Sequence, residues 1–401
     1  MSRIKNLPTG WQRKRLEKVA IIQTGIAKNQ NSNEECIELP YLRVANVQDG
    51  FLDLSEIKTI KVHKDKATRY RLENGDVLLT EGGDFDKLGR GAVWEGQIQN
   101  CVHQNHVFAV RPNKSELLPS FLSAQTGSSY GKRFFLSCSK QSTNLASINT
   151  SQLRAFPVLL PPFPEQKAIA DLLSTWDKAI EKTEWLIQMK DKRFRRLLQE
   201  LISNPKNTEK NDVWNEFKLG QICKVTKGKQ LNVAHMKNDG AYYALNGGIA
   251  PSGRTDGWNT EAETITISEG GNSCGYVNYN TERFWSGGHC YSLLSLKKNV
   301  DKHYLYFYLK MNEPKLMKLR VGSGLPNIQK NDVVKFVIAL PSLAEQQQIA
   351  QSLFSARREI DLLKQLTEKY KTQKRGLMHK MLTGTWRVKP DVVKTFEETK
   401  S

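Results

Sequence analysis

Two copies of one stretch decide how this chain folds: PPFPEQKAIADLLSTWDKAIEKTEWLIQMKDKRFRRLLQELI (residues 161–202) and PSLAEQQQIAQSLFSARREIDLLKQLTEKYKTQKRGLMHKML (residues 341–382). The copies align without a gap, with Pro341 lying 180 residues after Pro161, and each follows a short apolar run typical of a β-strand. A Glu-Gln pair comes soon after the opening proline, and an acidic residue in the first turn suits the positive end of a helix dipole. Beyond that pair, the only glycine or proline in either copy is Gly376. Both copies are therefore predicted to be long helices.

Apolar residues recur every seven positions along both copies, in two interleaved series per helix. Such series, sustained over several heptads, predict a coiled coil rather than a helix lying on a sheet. We expect the helices to pair within the chain as a coiled coil, each about 57 Å long at ~1.5 Å per residue. The alternative, two unrelated amphipathic surface helices, leaves the ungapped repeat unexplained. The expected seam residues are Leu173, Ile180, Ile187, Phe194, Leu201, Ile349, Leu353, Ile360, Leu363, Tyr370 and Leu377.

The repeat extends beyond the helices. Trp11 and Trp214 each open a W-x4-L pattern, and two apolar runs end in Glu-Gly-Gly at Glu81 and Glu269. We therefore predict an α+β fold with two mixed α/β globular regions in a pseudo-twofold repeat, the internal analogue of a dimer. The predicted parts are a globular region at 1–160, a helix at 161–203, a second globular region at 204–340, a second helix at 341–383 and a tail at 384–401. Short helices are expected within 117–135 and 303–319, and the tail is expected to pack near the N-terminus.

Composition narrows the class of partner. The chain has 60 basic and 41 acidic residues, a formal net charge of +19, which favours a polyanion and nucleic acid first. Basic proteins also bind membranes or acidic proteins, so charge alone leaves these open. No apolar run is long enough for a membrane span and no secretory signal is apparent, so a cytoplasmic protein is expected. The six scattered cysteines lack CxxC spacing and are expected to be reduced thiols.

Motifs for catalysis are missing from the sequence. There is no GxxxxGK[ST] phosphate loop, no GxGxxG motif, and no Asn-Pro-Pro-aromatic or Asp-Pro-Pro-aromatic tetrapeptide of the kind that amino-methyltransferases use. His103 and His106 stand near Cys101 at HxxH spacing, but a strand entrance without a flanking acid is a poor zinc site. Glu81 and Glu269 could bind a metal, although ending strands at tight glycine turns is the simpler role. We expect no catalytic residues and no metal site.

Polar and basic residues near the paired glycines are the candidate DNA contacts, because backbone amides freed there can reach phosphates while side chains reach base edges. In the first half the candidates are Lys87, Arg90, Asn105, His106, Lys132, Arg133, Lys140 and Asn144. In the second half they are Lys227, Lys229, Arg254, Asn272, Arg283, His289, Lys318, Arg320 and Asn327. Many residues in such a list are expected to be solvated surface only. The basic run Lys190, Lys192, Arg193, Arg195 and Arg196 is instead expected to face solvent or a partner protein.

With these features the sequence resembles the specificity subunit of type I restriction-modification enzymes. The resemblance covers essentially the whole chain and is most specific at LLPPFPEQKAIADLL (residues 159–173) and ALPSLAEQQQIAQSLF (residues 339–354). It implies that each globular region is a target recognition domain reading one half of a bipartite, asymmetric site in double-stranded DNA. It also implies that the helices form an intramolecular antiparallel coiled coil, which sets the spacing and docks two methyltransferase subunits. Two motor-nuclease subunits are added to this core. No cofactor is then expected in this chain, since S-adenosylmethionine, ATP and Mg²⁺ would belong to the partner subunits. Gly376 departs from an unbroken helix and could loosen its last turns.

Two other classes of protein stay open at this point. One is a self-contained DNA methyltransferase or nuclease with unusual motifs, which would be active without partners. The other is an RNA-binding or structural coiled-coil adaptor, which would not prefer one duplex sequence over another.

Overall fold

The computed structural model describes residues 7–27, 35–85, 88–141, 146–203, 214–322, 324 and 326–397. Contacts divide the chain into two units, one formed by Met1–Lys182 with Leu366–Ser401 and the other by Thr183–Gln365. We call them the first and the second unit. Each contains one globular region, part of the first long helix and part of the second. Among the helices in the described ranges, none combines the length and apolar content needed to span a lipid bilayer.

The elements up to residue 203 include twelve strands and five α-helices among the described residues. The strands are β1 (Gln12–Arg15), β2 (Ala20–Thr24), β3 (Cys36–Leu42), β4 (Lys58–His63), β5 (Val77–Thr80), β6 (Gly82–Gly83), β7 (Gly91–Val93), β8 (Val102–His103), β9 (Val107–Pro112), β10 (Lys140–Gln141), β11 (Ala146–Ser147) and β12 (Pro157–Leu160). The helices are α1 (Lys64–Tyr70), α2 (Pro119–Gly127), α3 (Ser129–Cys138), α4 (Thr150–Arg154) and the long α5 (Phe163–Ser203).

The elements after residue 203 repeat this order with fewer insertions. The strands are β13 (Asn215–Lys218), β14 (Lys224–Lys227), β15 (Tyr242–Leu245), β16 (Gly253–Thr255), β17 (Thr264–Ser268), β18 (Val277–Asn280), β19 (Phe284–Ser286), β20 (Cys290–Leu294) and β21 (Val337–Leu340). The helices are α6 (Leu219–Ile222), α7 (Lys302–Met311), α8 (Glu313–Met317), α9 (Lys330–Lys335), the long α10 (Leu343–Leu382) and α11 (Pro390–Thr395).

The two globular regions share one sheet plan. A four-stranded antiparallel sheet has the order β2-β9-β5-β7 in the first unit and β14-β20-β17-β18 in the second. A three-stranded sheet with one parallel pair follows as β4-β3-β8 and β16-β15-β19. A two-stranded ladder, β1-β12 or β13-β21, leads into the long helix. The first unit adds a small sheet, β10-β11-β6. The predicted α+β fold with an internal repeat is confirmed.

The largest hydrophobic core of each unit joins a globular region to the ends of both long helices. In the first unit, Ile169 and Leu173 of α5 and Met381 and Leu382 of α10 are buried with the apolar residues of β5, β9 and α2. In the second unit, the start of α10 and the end of α5 meet a core that includes Tyr304 and Phe307 of α7. Burial of these apolar faces supplies the main stabilising term for the helix ends.

The Glu-Gln pair that opens each long helix has a clear structural role. Gln166, 1% exposed, accepts from the Leu118 N–H at 2.9 Å and donates to the carbonyls of Glu116 at 2.8 Å and Pro161 at 3.0 Å. Gln346 likewise accepts from the Asp301 N–H at 2.8 Å and donates to the carbonyls of Asn299 and Pro341. Both glutamines thus satisfy buried backbone groups and fix the helix to its globular region.

Glu165 is the buried end of a contact that involves the C-terminal tail. Arg387 donates to both of its carboxylate oxygens, at 2.6 and 2.7 Å, and the Trp11 indole N–H donates at 3.2 Å. The bond to Glu165 raises the pKa of Arg387 further above its ordinary value. Arg387 also donates to the Thr9 carbonyl at 3.1 Å, so the tail packs near the N-terminus as expected.

The long helices pair antiparallel within each unit. In the first unit Trp176 meets Tyr370 edge to face at 5.7 Å between ring centroids, and Lys374 pairs with Asp177. In the second unit Lys190 pairs with Glu359 at 2.7 Å. Of the expected seam residues, Leu173, Ile349, Leu353 and Ile360 are buried, while Ile180, Ile187, Phe194, Leu201, Leu363, Tyr370 and Leu377 are half-buried.

Two details refine the sequence expectations. The second long helix continues past Gly376 to Leu382, and the glycine faces open space. The short helices expected in 117–135 and 303–319 are each two helices. Ser128 caps the second helix of the first pair, and Asn312, with Pro314 in the following turn, separates the second pair.

Candidate nucleic-acid interface

A glutamate–histidine pair lies where the central strand of the first four-stranded sheet ends. Glu81 follows β5, and His106 precedes the neighbouring strand β9. The Glu81 N–H donates to the His106 carbonyl at 2.9 Å, and the Ile148 N–H donates to the Glu81 carbonyl at 2.8 Å. The side chains also meet, with His106 Nδ1 2.5 Å from Glu81 Oε2. The His106 side chain is 56% exposed.

The second unit builds the same arrangement from its own residues. The Glu269 N–H donates to the His289 carbonyl at 2.9 Å, and the Ile328 N–H donates to the Glu269 carbonyl at 2.8 Å. His289 Nδ1 is 3.3 Å from Glu269 Oε2, and the histidine side chain is 60% exposed. Lys227 at 2.6 Å and the Tyr291 hydroxyl at 2.8 Å donate to the other carboxylate oxygen. We call each arrangement a Glu–His turn.

The chemistry of a Glu–His turn follows from the carboxylate. A carboxylate beside Nδ1 favours the tautomer that carries the proton on that nitrogen. Nε2 then points away from the glutamate as an acceptor in the neutral ring or a donor in the charged one. Burial acts to raise the pKa of Glu269, but the bonds from Lys227, Tyr291 and His289 outweigh it and lower that pKa. A negatively charged glutamate thus anchors an exposed hydrogen-bonding ring in the second unit.

Of the two glycines that follow each glutamate, only the second has a positive φ. Gly83 has φ +149° and Gly271 has φ +72°, whereas Gly270 is extended at φ −143°. Asn272 follows Gly271 directly and is exposed. The glutamates do end strands, as expected, but they also hold the histidines.

The remaining candidates of the first unit are dispersed. Asn105 Nδ2 lies 3.4 Å from His106 Nε2, at the turn itself. Lys132 pairs with Asp49 at 2.7 Å, and Arg133 donates to the Ser129 carbonyl at 3.0 Å, so both are held by their own surface. Arg90 is half-buried, and Lys140 is exposed in β10. Lys87 and Asn144 lie outside the described residues.

In the second unit several candidates gather around Glu269. Lys227 bonds its carboxylate, and Asn327 forms a backbone bridge with Gly270. The Lys229 side chain is exposed, and the backbone N–H of Lys229 donates to the carbonyl of Ser286, three residues before His289. These residues and Asn272 surround the turn with polar groups.

Other candidates of the second unit lie elsewhere or act on their own loops. Arg254 donates to the carbonyls of Gly240 at 2.6 Å and Ala241 at 2.9 Å. Arg283 pairs with Glu261 at 2.9 Å and covers the exposed Trp258 ring at 4.5 Å. Lys318 and Arg320 are exposed after α8.

The histidines of the HxxH pair face different surroundings. His103 is fully buried, and its Nδ1 donates to the Val107 carbonyl at 2.8 Å. Burial lowers the pKa of His103 to about 4. His106 is exposed and bound to Glu81, so the two rings do not share one site. No group of three potential metal ligands lies together in the described part of the chain.

Sequence reasoning missed the role of Glu81, Glu269 and Tyr291. The repeated Glu-Gly-Gly was visible, but its histidine partner is 25 residues away in one half and 20 in the other. Only the pairing of β5 with β9 and of β17 with β20 brings them together. The basic run on α5 is mostly exposed, with Lys190 paired to Glu359 and Arg196 to Glu200.

Comparison with known proteins gives a consistent result. The family model described as type I restriction modification DNA specificity domain matches residues 8–188 and again 211–371. A putative type I restriction enzyme specificity subunit from Methanocaldococcus jannaschii is 25% identical over 419 residues, covering 96% of both chains. A putative type I specificity subunit from Mycoplasma pneumoniae is 34% identical over 179 residues, covering 44% of this chain and 47% of the relative.

Solved structures share the fold. The type I restriction-modification S subunit from M. genitalium superposes with a TM-score of 0.61 at 17% identity, covering 94% of this chain and 97% of that one. A chain from a structural study of the assembly and conformational transition of a type I system gives a TM-score of 0.64 at 16% identity, covering 95% and 100%.

Proposed function

Because this chain belongs to the family of type I restriction-modification specificity subunits, we propose that each globular region reads one half of a bipartite, asymmetric DNA site. The observation that carries the proposal is the Glu–His turn, which occurs once in each unit. Each turn presents an exposed ring among polar or basic side chains, and the chain as a whole carries a net charge of +19. Such a combination suits a surface that meets phosphates and base edges.

Two half-sites in one chain give more discrimination than one. A single base pair contributes ~1–3 kcal/mol to specificity, so a short half-site alone selects weakly. Two regions in one polypeptide add their preferences while the bases between them stay unread. The regions have the same sheet plan but different side chains at the turn, which supports an asymmetric site.

The coiled coil has two proposed roles, setting the half-site spacing and docking two methyltransferase subunits. Its support is the continuity of α5 and α10, each of which runs unbroken through residues of both units. Exposed basic residues Arg193 and Arg195 on α5 suit a protein partner with acidic groups. Two motor-nuclease subunits would join this core.

The chemistry would reside in those partners, and the chain would recognise DNA without transforming it. S-adenosylmethionine would bind the methyltransferase subunits, and ATP with Mg²⁺ would bind the motor-nuclease subunits. The whole complex would act on DNA in the cytoplasm.

The test is to substitute the two histidines separately. His106→Ala should weaken or relax one half of the methylated sequence and His289→Ala the other, because each removes one surface contact. A lost base contact costs ~1–3 kcal/mol, or about 5- to 150-fold in discrimination at that position. Sequencing methylated adenines in cells that carry each variant with its partners gives the readout. His379→Ala, an exposed histidine on α10, is the control.

The kind of contact follows from the pattern of loss. Relaxation at particular bases means base readout, whereas a uniform loss with a shallower salt dependence means a phosphate contact. If both variants methylate the wild-type sequence with wild-type affinity, the Glu–His turns are not the interface.

A further inference from the structure

A groove opens between the long helices in the second unit. It encloses about 230 Å³, whereas roughly 10–15 Å³ is enough for one water molecule. Phe194 and Leu197 of α5 and Ala356 of α10 contribute its apolar side chains. Lys190 and Glu359, paired at 2.7 Å, and the exposed Arg193 also line it. The groove is therefore apolar with charged groups beside it, a combination that suits the docking of a side chain from a partner.

In the first unit, large side chains occupy the position that is equivalent to the groove. At the offset that aligns Pro161 with Pro341, Ala356 corresponds to Trp176 and Lys190 corresponds to Tyr370. In the first unit those two rings pack edge to face at 5.7 Å. Leu377 and its counterpart Leu197 each pack against the core of their own unit, so the two positions differ at the aromatic pair. An aromatic pair thus fills in one unit the place that alanine and lysine leave open in the other.

The charged residues that line the groove have uncharged counterparts in the first unit. Arg193 corresponds to Gln373, and Glu359 corresponds to Ala179. Lys190 is already paired with Glu359, which leaves Arg193 as the exposed cation that can meet a carboxylate of a partner. The equivalent position of the first unit has glutamine, Gln373, in place of this cation.

We propose that the groove docks one methyltransferase subunit through a bulky aromatic side chain adjacent to an acidic residue. The corresponding position in the first unit is occupied by Trp176 and Tyr370 and cannot take that anchor. This inference rests on the proposed docking of methyltransferase subunits on the coiled coil. Buried aromatic anchors dominate binding energy at interfaces, so the two docking positions differ in affinity and the grooved one is tighter.

The experiment fills the groove with the side chains that the repeat provides. In Ala356→Trp with Lys190→Tyr, the tighter of two binding steps for the purified methyltransferase subunit should weaken at least about tenfold. Calorimetric titration and native mass spectrometry of the full-length chain report the affinity and stoichiometry of both steps. Arg193→Glu alone should weaken the same step, because it reverses the charge that faces the acidic residue.

The reciprocal and control variants separate docking from folding. Trp176→Ala with Tyr370→Lys should open a second groove and bring the weaker step closer to the tighter one. Ala356→Ser keeps the groove open and should bind as the wild type does. The helix content and the melting temperature of each variant are measured as well. The binding result of a variant is used only if both values equal those of the wild type. Arg193→Glu, on an exposed side chain, provides the readout if the aromatic pair disturbs the fold.

Three outcomes would overturn the inference. One is two equal, independent binding steps in the wild-type chain. Another is wild-type affinity for both steps in the filled variant and in Arg193→Glu. A third is no binding of methyltransferase subunits to the wild-type chain, which would overturn the proposed docking role itself.

Discussion

At the scale of single residues, buried polar groups explain more of the fold than surface ion pairs do. Gln166 and Gln346 each satisfy three backbone groups at the junction between a globular region and a helix. Asp76, fully buried, receives two bonds from Arg111 at 2.8 and 2.9 Å. Exposed pairs such as Arg196–Glu200 contribute little by comparison.

Loss of Gln346 should destabilise the second unit. In Gln346→Ala the Asp301 N–H and two carbonyls lose their partner, and unsatisfied buried groups cost about 1–3 kcal/mol. Chemical denaturation monitored by circular dichroism measures the change. Gln347→Ala, at the exposed neighbouring position, should change stability by less than about 0.5 kcal/mol. Equal effects of the two substitutions would show that the buried bonds are unimportant.

Acid should destabilise the first unit through His103. Burial lowers its folded-state pKa to about 4, against an ordinary value of about 6.5. The unfolded chain therefore binds the proton first, and the free energy of unfolding falls as the pH drops from about 6.5 to about 4, by up to about 3 kcal/mol. Above pH 6.5 this histidine contributes no pH dependence.

Hydrogen exchange of the β9 amides, corrected for the intrinsic pH dependence of exchange, measures this effect. His103→Asn cannot titrate, so its unfolding free energy should be lower overall but flatter across the same pH range. His379→Asn, exposed on α10 in the same unit, should keep the wild-type slope. A wild-type slope in His103→Asn would assign the acid sensitivity to other groups.

At the scale of elements, the heptad pattern predicted both long helices and their pairing as a coiled coil from spacing alone. The pattern could not predict where pairing is tight and where a groove remains, because that depends on the packing of side chains from two distant stretches. Trp176 and Ala356 stand at equivalent positions in the repeat, yet one fills its surroundings and the other leaves them open. The Glu–His turns could not be predicted from the sequence either, because they depend on the pairing of β5 with β9 and of β17 with β20.

Lengthening both helices by one heptad should lengthen the spacer of the recognised DNA site. Seven residues added after Lys182 in α5 and seven before Leu366 in α10 keep the seam in register and add about 10 Å at ~1.5 Å per residue. This corresponds to roughly three base pairs at ~3.4 Å each. The methylated sequence should gain that spacing and keep both half-sites, since half-site separation follows protein geometry.

Inserting the heptad into only one helix is the control, because it breaks the register and should prevent assembly. Sequencing of methylated adenines measures the site recognised by both variants in cells that supply the partner subunits. An unchanged spacer in the doubly lengthened chain would mean that the coil does not set the half-site separation.

At the scale of the whole molecule, the repeat is the feature that the sequence reveals best. The aligned helices, the two W-x4-L patterns and the two Glu-Gly-Gly turns predicted two related globular regions. The first and the second unit do not coincide with the domain boundaries predicted along the sequence, because each unit contains a part of both long helices. That division arises from antiparallel pairing, which brings the end of one helix to the start of the other.

The repeat leads to the last prediction, that the two globular regions are separable readers. Replacing residues 11–156 with the same region of a relative leaves α5, α10 and the second unit's Glu–His turn intact. One half of the methylated sequence should then change while the other half and the spacer stay the same, because each half-site depends on contacts from one region only. Methylated-adenine sequencing in cells that carry the swapped chain with its partners measures this. Replacing residues 215–336 instead should alter the opposite half, and a swap that alters both halves would show that the regions do not read independently.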